Sequence, residues 1–308
     1  MNTRFFVQEI VPSKPSTPNT VMPLNSDLQR AVKRTLHYFD FFDHALSVSE
    51  IQRFLELRTD EAQLKGALGA LVAHSEVVAE QGWYGLKKSS VENRIKYLAL
   101  NQRKLRIARR VGWFIRFFPF VRGVYLSGSL SKMGVQSEMD DLDFFILTAP
   151  GRVWTAKLVL IAFKKVFLLD SEKYFCINLL MDEDKLEIAK QNRYTATEVI
   201  SLITLSNPSG RSRFLAENAW VRTYFPNVVL PELQAQRPAR TRLVERVINV
   251  CFGEGLERWA KKKFTAHMQS HTDQRDGYFE AESHSSAYFP QSVEQRLLAH
   301  LDTFENDQ

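Results

Sequence analysis

The sequence predicts an α+β protein, in which helices flank a small mixed β-sheet. Apolar residues recur at helical spacing through much of the 308-residue chain. Three apolar runs of strand length, at 124–126, 144–147 and 174–181, interrupt this pattern near the middle. A helix-like segment separates the second run from the third, which is the order that a small mixed sheet backed by helices requires.

The chain begins with a segment that we expect to be flexible. Residues 1–24 contain four prolines among serine, threonine and asparagine. A first helix is predicted after it, because apolar residues recur on one face. These residues are Leu28, Val32, Leu36 and Phe39.

Two more helices and a hairpin follow. The second helix is predicted from Ser47, since Glu50 three residues later completes a capping box. The third runs from about Asp60, and the segment 77–86 has the pattern of a β-hairpin with its turn at 80–82. This order predicts a winged helix-turn-helix, whose third helix would by default read DNA.

The charge of the third helix argues against DNA binding. Its acidic residues, with those that flank it, are Asp60, Glu61 and Glu76. Lys65 is the only lysine or arginine between residues 59 and 76. A helix that reads a DNA groove needs cations to meet phosphates. We therefore expect this region to contact a protein partner or to act as a scaffold.

A long amphipathic helix is predicted from Ser89, with Glu92 completing its capping box, to about residue 117. One stripe is apolar, and the remainder is the most basic part of the chain. The basic side chains form a solvated face, an electropositive wall beside a phosphate site or a track for a nucleic acid, so RNA stays open as a partner. They are Arg94, Lys96, Arg103, Lys104, Arg106, Arg109, Arg110 and Arg116.

Charge and composition limit the partners and the cellular location that we expect. A net charge of +6 favours an anionic partner such as a nucleotide, a nucleic acid or an acidic protein. No segment approaches the roughly 20 uncharged apolar residues of a membrane helix, and the N-terminus lacks an export signal. Cys176 and Cys251 lie far apart in apolar runs, which predicts reduced core residues. We expect a cytoplasmic protein without a membrane partner.

The stretch between the first two apolar runs carries the main functional signal. The first run ends in Gly128 and Ser129, and Asp141 and Asp143 lead into the second. Residues two apart on a strand point to the same face, so the two carboxylates project together while Leu142 points into the core. Adjacent carboxylates repel each other unless a cation lies between them, and Mg²⁺ carrying a polyphosphate fits this need. Gly128 would let the backbone approach a phosphate to which the Ser129 hydroxyl donates.

This pattern resembles the polymerase-β-like nucleotidyltransferase superfamily. Its signature is a Gly-Ser pair at a strand end, about a dozen residues, and Asp-apolar-Asp on the next strand. Here eleven residues separate Gly128-Ser129 from Asp141-Leu142-Asp143. The resemblance implies that the two aspartates bind Mg²⁺ or Mn²⁺ and that the turn binds the phosphates of a nucleoside triphosphate. The implied phosphate-binding residues are Ser127, Gly128, Ser129 and Lys132.

The chain departs from the resembled superfamily at a third carboxylate, which that superfamily places on the later strand. The polar residue inside the run 174–181 is Asn178, which can accept a hydrogen bond but cannot take a proton. Asn178 is therefore the third candidate catalytic residue. Three outcomes stay open: one metal held by Asp141 and Asp143 suffices, another acid replaces the missing one, or the protein binds nucleotide without turnover. The replacement acids are Glu138, Asp140, Asp182, Glu183 and Asp184.

Further helices are predicted towards the C-terminus, from about 194, at 214–224, at 241–267 with a break near Gly253, and from Ser292. Arg193 and Glu198 are further polar candidates for the site. We expect a linker at 231–238 and a loop at 269–286. The expected divisions are a flexible segment 1–24, a winged-helix domain 25–90, a basic connecting helix 91–120, a nucleotidyltransferase core 121–230 and a helical region 231–308.

Two functional hypotheses follow. The first is an Mg²⁺-dependent nucleotidyltransferase of bacterial type that moves a nucleoside monophosphate to an acceptor hydroxyl. The acceptor would be a small molecule, a protein side chain or an RNA end, and the acidic winged helix favours a protein. The second is a regulatory protein that binds nucleotide, in which Asn178 marks lost chemistry and which acts through protein contacts.

Overall fold

The computed structural model describes residues 24–167, 174–231, 242–269, 278–289 and 291–306. It confirms the α+β class with a mixed sheet. The expected lead-in and most of the expected linker lie outside the described residues. The helices are α1 Leu24–Asp40, α2 Val48–Phe54, α3 Glu61–Ala73, α4 Lys88–Ile115, α5 Gly128–Ser131, α6 Val153–Phe167, α7 Arg193–Ser201, α8 Pro208–Glu217, α9 Leu243–Cys251, α10 Gly253–Gln269 and α11 Gln291–Asn306.

The elements predicted before residue 88 are confirmed. Ser47 and Glu50 form the reciprocal capping box of α2. Asp60 caps α3 together with Gln63. The hairpin pairs β1 Val78–Glu80 with β2 Trp83–Gly85, and the two residues of its turn have φ angles of 51° and 83°. Two positive φ angles in a two-residue loop give the turn whose twist matches that of the flanking strands.

The capping box predicted for the long helix is wrong. Helix α4 begins at Lys88, and no side chain caps it. The hydroxyls of Ser89 and Ser90 instead donate to Asp43 Oδ1 at 3.0 and 2.8 Å. Since Asp43 lies just after α1, these hydroxyls hold the start of α4 against the end of α1.

The main sheet has six strands in the order β6-β3-β4-β5-β8-β7. Strands β4 and β5 are parallel and α6 connects them, whereas the other neighbouring pairs are antiparallel. The strand predicted over 174–181 is thereby confirmed as β5. The strands are β3 Val121–Leu126, β4 Asp143–Thr148, β5 Cys176–Asp182, β6 Ile203–Ser206, β7 Tyr278–Ala281 and β8 Ser285–Phe289.

Two elements near the C-terminus differ from the predictions. The segment expected to be a loop within a helical region contains β7 and β8, and β8 pairs with β5 through Leu179–Ala287 and Leu180–Ser286. A hairpin of this kind supplies the hydrogen bonds that an unpaired edge of β5 would lack. The helix predicted at 214–224 is α8 followed by a short 3₁₀ helix, Ala219–Thr223.

Both faces of the sheet are covered. Phe145 faces a core shared with α1, α2, α3, α7, α8 and α11, whereas Phe144 faces a second core shared with α4, α6 and α10. Successive strand residues point to opposite faces, which explains this alternation. Neither cysteine forms a disulfide bond, but the expectation that both are core residues is wrong. Cys176 is partly buried, and Cys251 is exposed because the apolar face of α9 points to solvent.

Candidate functional site

The turn after β3 packs directly against the start of β4. The N–H of Ser127 donates to the carbonyl of Asp143 at 2.9 Å. Gly128 has φ +65°, and a Cβ on it would lie 2.0 Å from Asp143 Oδ2. No side chain fits there unless Asp143 moves. The predicted Gly-Ser turn and the second aspartate therefore form one local structure.

Asp141 and Asp143 both line a cavity of about 580 Å³. Leu142 between them and Phe144 after them are fully buried, as the alternation of the sequence predicts. Strand β4 begins at Asp143, so Asp141 lies just before it. Ser127, Gly128, Ser129, Lys132 and Asn178 line the same cavity.

The environment of Asp143 disfavours its charged form. Burial raises the pKa of this carboxyl to about 6, and the nearby charges of Asp141 and Glu198 add to the increase. A hydrogen bond with Cys176 and the positive charge of Lys132 act in the opposite direction. A cation bound between the carboxylates would relieve the repulsion that contributes to this shift.

Glu198 on α7 is a third carboxylate of this cavity. Its two oxygens accept from Lys132 Nζ at 2.8 and 2.9 Å, and the same amine donates to the carbonyl of Gly128 at 2.9 Å. Sequence analysis gave Glu198 only as a further polar candidate. Nothing in the sequence indicates that α7 faces the turn. Lys132, implied as a phosphate ligand, lines the cavity and joins α7 to the turn.

Asn178 occupies an irregular position in β5. Phe144 pairs with Ile177 and Phe145 with Leu179, so Asn178 is an extra residue in the parallel ladder. A bulge of this kind redirects a side chain, and that of Asn178 lines the cavity.

The acids proposed to replace the missing carboxylate have other positions. Asp140 Oδ2 accepts from the N–H groups of Gln136 and Ser137 at 3.0 and 3.1 Å, and Glu138 pairs with Arg103. The segment 182–184 lies at the far end of β5 from Cys176, about 20 Å along the strand. Among the described residues, the carboxylates that line the cavity are Asp141, Asp143 and Glu198.

Arg94 supports the turn from behind. Its guanidinium donates to the carbonyls of Lys132 and Met133 at 3.0 and 2.8 Å and pairs with Glu50 at 2.7 Å. It also contacts a ring nitrogen of His44 at 2.6 Å. Burial and the charge of Arg94 hold the pKa of His44 well below its usual range, so this imidazole is neutral and accepts the hydrogen bond. Sequence reasoning assigned Arg94 to a basic surface and missed this role.

One of the three alternatives for the basic side chains of α4, an electropositive wall beside the phosphate site, is not supported, because no residue of α4 lines the cavity. Arg94 and Lys104 of α4 are buried among protein oxygens. The cations of described residues that line the cavity are Lys132, Lys157 and Lys164. Nζ of Lys157 donates to Ser286 Oγ at 2.7 Å, and burial lowers the pKa of this amine to about 8. The positive charge of the cavity therefore comes from the loop after α5 and from α6.

The donor set can hold one hard cation. In the described part of the chain, no group of three or more histidine, cysteine, aspartate or glutamate side chains is arranged to bind a metal ion. Mg²⁺ commonly uses one or two carboxylates, with waters and substrate phosphates as its other ligands. Asp141 and Asp143 fit that arrangement, with Glu198 close enough to affect the pKa of Asp143.

Comparison with known proteins adds no relative. The chain matches no protein-family model, and neither a curated protein nor a solved structure matches it significantly. Among the helices of the described residues, none has the length and apolar character needed to cross a bilayer.

Proposed function

We propose that this chain is an Mg²⁺-dependent nucleotidyltransferase that transfers a nucleoside monophosphate from a nucleoside triphosphate to an acceptor hydroxyl. One observation carries the proposal: Gly128 lacks a side chain where the carboxylate of Asp143 packs against the turn, and Asp141 lines the same cavity. A turn that can approach phosphate thus lies beside two carboxylates that can hold a cation.

The arrangement of elements supports the resemblance to the polymerase-β-like superfamily. Strand β3, the Gly-Ser turn, β4 with its leading Asp-x-Asp, α6 and β5 follow in the expected order, with β4 between β3 and β5. The three helices α1 to α3 and the hairpin β1–β2 have the order of a winged helix-turn-helix. We assign this region to protein contact, because α3 and its flanks carry Asp60, Glu61 and Glu76 against the single cation Lys65.

The residues of the cavity would divide the reaction between them. Asp141 and Asp143 would hold the metal ion, which when bound neutralises phosphate charge. Ser129 and the backbone of the turn at Gly128 would orient the triphosphate. The acceptor oxygen would form a bond to the α-phosphorus as the bond to the β-phosphate oxygen breaks, and pyrophosphate would leave. The acceptor proton would pass to a carboxylate of the cavity, for which Glu198 is the acid that replaces the one missing from β5.

A second function is favoured by Asn178 and by the contact between Lys132 and Glu198. If Glu198 stays bound to Lys132, the cavity holds a nucleotide but has no free carboxylate to accept the proton. The chain would then be a regulatory protein that binds nucleotide and acts through protein contacts.

The test is transfer of label from α-labelled ATP, CTP, GTP and UTP with Mg²⁺ or Mn²⁺ in a cell extract, alongside calorimetric measurement of nucleotide binding. We expect transfer by the wild type, none by Asp141→Asn with Asp143→Asn, and a loss of at least tenfold for Glu198→Gln with nucleotide binding retained. Glu61→Gln with Glu92→Gln removes the same charge from exposed positions and should change neither readout.

Other outcomes decide between the alternatives. Nucleotide binding that depends on the two aspartates, without transfer, supports the regulatory protein. Equal nucleotide binding by the wild type and the double aspartate variant would remove the metal site and with it the transferase.

A further inference from the structure

Helix α9 presents its apolar face to solvent. Leu243, Val247 and Val250 share one face of this helix, and each is more than half exposed. On the opposite face Glu245 is fully buried, where it accepts two hydrogen bonds at 2.9 Å from Arg122 and one at 2.7 Å from the N–H of Phe120. Rotating α9 to bury its apolar face would break the ion pair between Glu245 and Arg122 and leave Arg122 without its carboxylate.

The end of α4 extends this apolar area. Trp113 and Phe117 are also more than half exposed. The guanidinium of Arg242, immediately before α9, donates to the carbonyls of Arg116 and Phe118 just after α4. These contacts hold the start of α9 against the end of α4. We name the exposed apolar residues of the two helices, together with Val244 and the arginines described next, the α4–α9 surface.

Arginines border the apolar residues. Arg106, Arg109 and Arg110 are exposed on the stripe of α4 that also carries Trp113, at spacings of three, four and seven residues. Arg116 lies over the rings of Trp113 and Phe117, at 5.2 and 4.6 Å from their centroids. Arg246 is exposed beside the apolar face of α9. The seven residues just named thus combine five guanidinium groups with two aromatic rings.

Few carboxylates lie in the described segments that form this surface. In the segments 103–117 and 242–263 the acidic residues are Glu245, Glu254 and Glu257. Glu245 and Glu257 are buried. Arg152 pairs with Glu254 at 2.7 Å. The net charge that the surface presents is therefore positive.

We propose that the α4–α9 surface docks on the face of an anionic lipid bilayer. Aliphatic side chains and tryptophan of a helix lying in the interface enter the boundary between headgroups and acyl chains, and arginines bind the lipid phosphates. Docking of this kind needs no spanning helix. It departs from our expectation of no membrane partner, which rested on the absence of a long apolar segment.

The charge of the surface disfavours the two other occupants. A second copy bound about a two-fold axis would bring two positively charged surfaces together, and like charges repel. A nucleic acid would satisfy the arginines, but its phosphates would leave Leu243, Val247 and Val250 in contact with water and charge.

Co-sedimentation of the full chain with lipid vesicles tests the apolar contribution. We expect binding to vesicles that contain phosphatidylglycerol, little binding to pure phosphatidylcholine, and weaker binding as salt rises. The variant Leu243→Gln, Val247→Gln, Val250→Gln should lose at least tenfold in partition coefficient. A matched control that replaces three equally exposed apolar residues elsewhere should bind as the wild type does; it is Met139→Gln, Val166→Gln, Val229→Gln.

A second pair of variants tests the arginines. Arg109→Gln, Arg110→Gln, Arg246→Gln should reduce the partition coefficient about 100-fold, on the order of fivefold for each arginine. The control variant lowers the net charge by the same amount at other exposed positions and should leave binding unchanged. It is Lys65→Gln, Lys88→Gln, Lys96→Gln.

Several results would overturn the proposal. The first is equal or absent binding to both kinds of vesicle. A second is concentration-dependent dimerisation that the α9 variant abolishes without a change in vesicle binding, which would assign the surface to a second copy. A third is binding to single-stranded RNA that is tighter than binding to anionic vesicles, provided that both sets of variants at the α4–α9 surface abolish the binding of RNA.

Discussion

Gly128 is the residue on which the geometry of the site depends most directly. Its φ angle of +65° lies in the left-handed region, and the carboxylate of Asp143 occupies the space of a side chain. We predict that Gly128→Ala lowers the free energy of unfolding by about 1–2 kcal/mol from backbone strain alone. The displaced Asp143 should add to this loss and weaken nucleotide binding at least tenfold.

Gly69→Ala is the control for this substitution. Gly69 lies inside α3, and a Cβ there would meet nothing within 4 Å. Replacing a helical glycine by alanine should stabilise the protein by about 0.5–1 kcal/mol. Urea unfolding of both variants separates the two effects. A Gly128→Ala variant with the stability and the nucleotide binding of the wild type would contradict the geometry of the turn.

Asp143 makes the stability of the metal-free protein depend on pH. Its pKa is raised from 3.8 to about 6, so the folded protein binds this proton more tightly than the unfolded chain does. Stability is therefore greatest below pH 4 for this group and falls as the pH rises to about 6. Asp143→Asn removes the ionisation, and we predict that it stabilises the protein at pH 7 by up to about 3 kcal/mol.

Urea unfolding between pH 4 and pH 8 without divalent cations measures this difference. It should vanish near pH 4, and adding Mg²⁺ at pH 7 should stabilise the wild type more than the variant. Glu61→Gln, at an exposed side chain, should leave the pH dependence as it is. An Asp143→Asn variant that is less stable than the wild type at pH 7 would refute the account.

At the scale of elements, α4 joins the N-terminal helices to the turn through Arg94. This side chain is buried and bridges Glu50 of α2, His44 and the two carbonyls after α5. We predict that Arg94→Met costs about 3–5 kcal/mol, because it leaves Glu50 without its cation and two carbonyls without a donor. Arg94→Lys should not restore the loss, since one ammonium cannot reproduce a planar set of donors.

The exposed Arg109 of the same helix provides the comparison for Arg94. Arg109→Met should change the free energy of unfolding by less than about 0.5 kcal/mol. Hydrogen exchange of the amides at 132–134 should accelerate in the Arg94 variants alone. Equal stability of the Arg94→Met and Arg109→Met variants would show that Arg94 does not hold the turn.

Helices α4 and α9 show what periodicity predicts and what it does not. The pattern of α4 predicted a long amphipathic helix, and α4 is one, but its buried face includes Arg94, Asn101 and Lys104. The apolar stripe of α9, formed by Leu243, Val247 and Val250, faces outward because Glu245 is bound to Arg122 inside. The spacing of residues along a helix shows which of them share a face. The contacts of one polar residue decide which face is buried.

At the scale of the whole molecule, distant segments build one cavity. The turn at Gly128, the aspartates before β4, the bulge of β5, α7 and β8 all contribute to its wall. The sequence located the first three, because they lie within one βαβ-like stretch with local signals. It did not predict β8 and gave Glu198 only secondary rank, since both reach the cavity through pairing and packing with residues far away in the chain.

The sequence by itself determined the α+β class, most helix and strand positions, and the Gly-Ser and Asp-x-Asp elements that meet at the cavity. These follow from local preferences: periodicity, capping residues and the alternation of side chains along a strand. Only the tertiary structure decided that Lys132 binds Glu198, that Arg94 is internal and that the apolar side of α9 faces out. Each of these depends on which charge finds a partner across the fold, and burial makes a partner necessary without indicating where in the chain it lies.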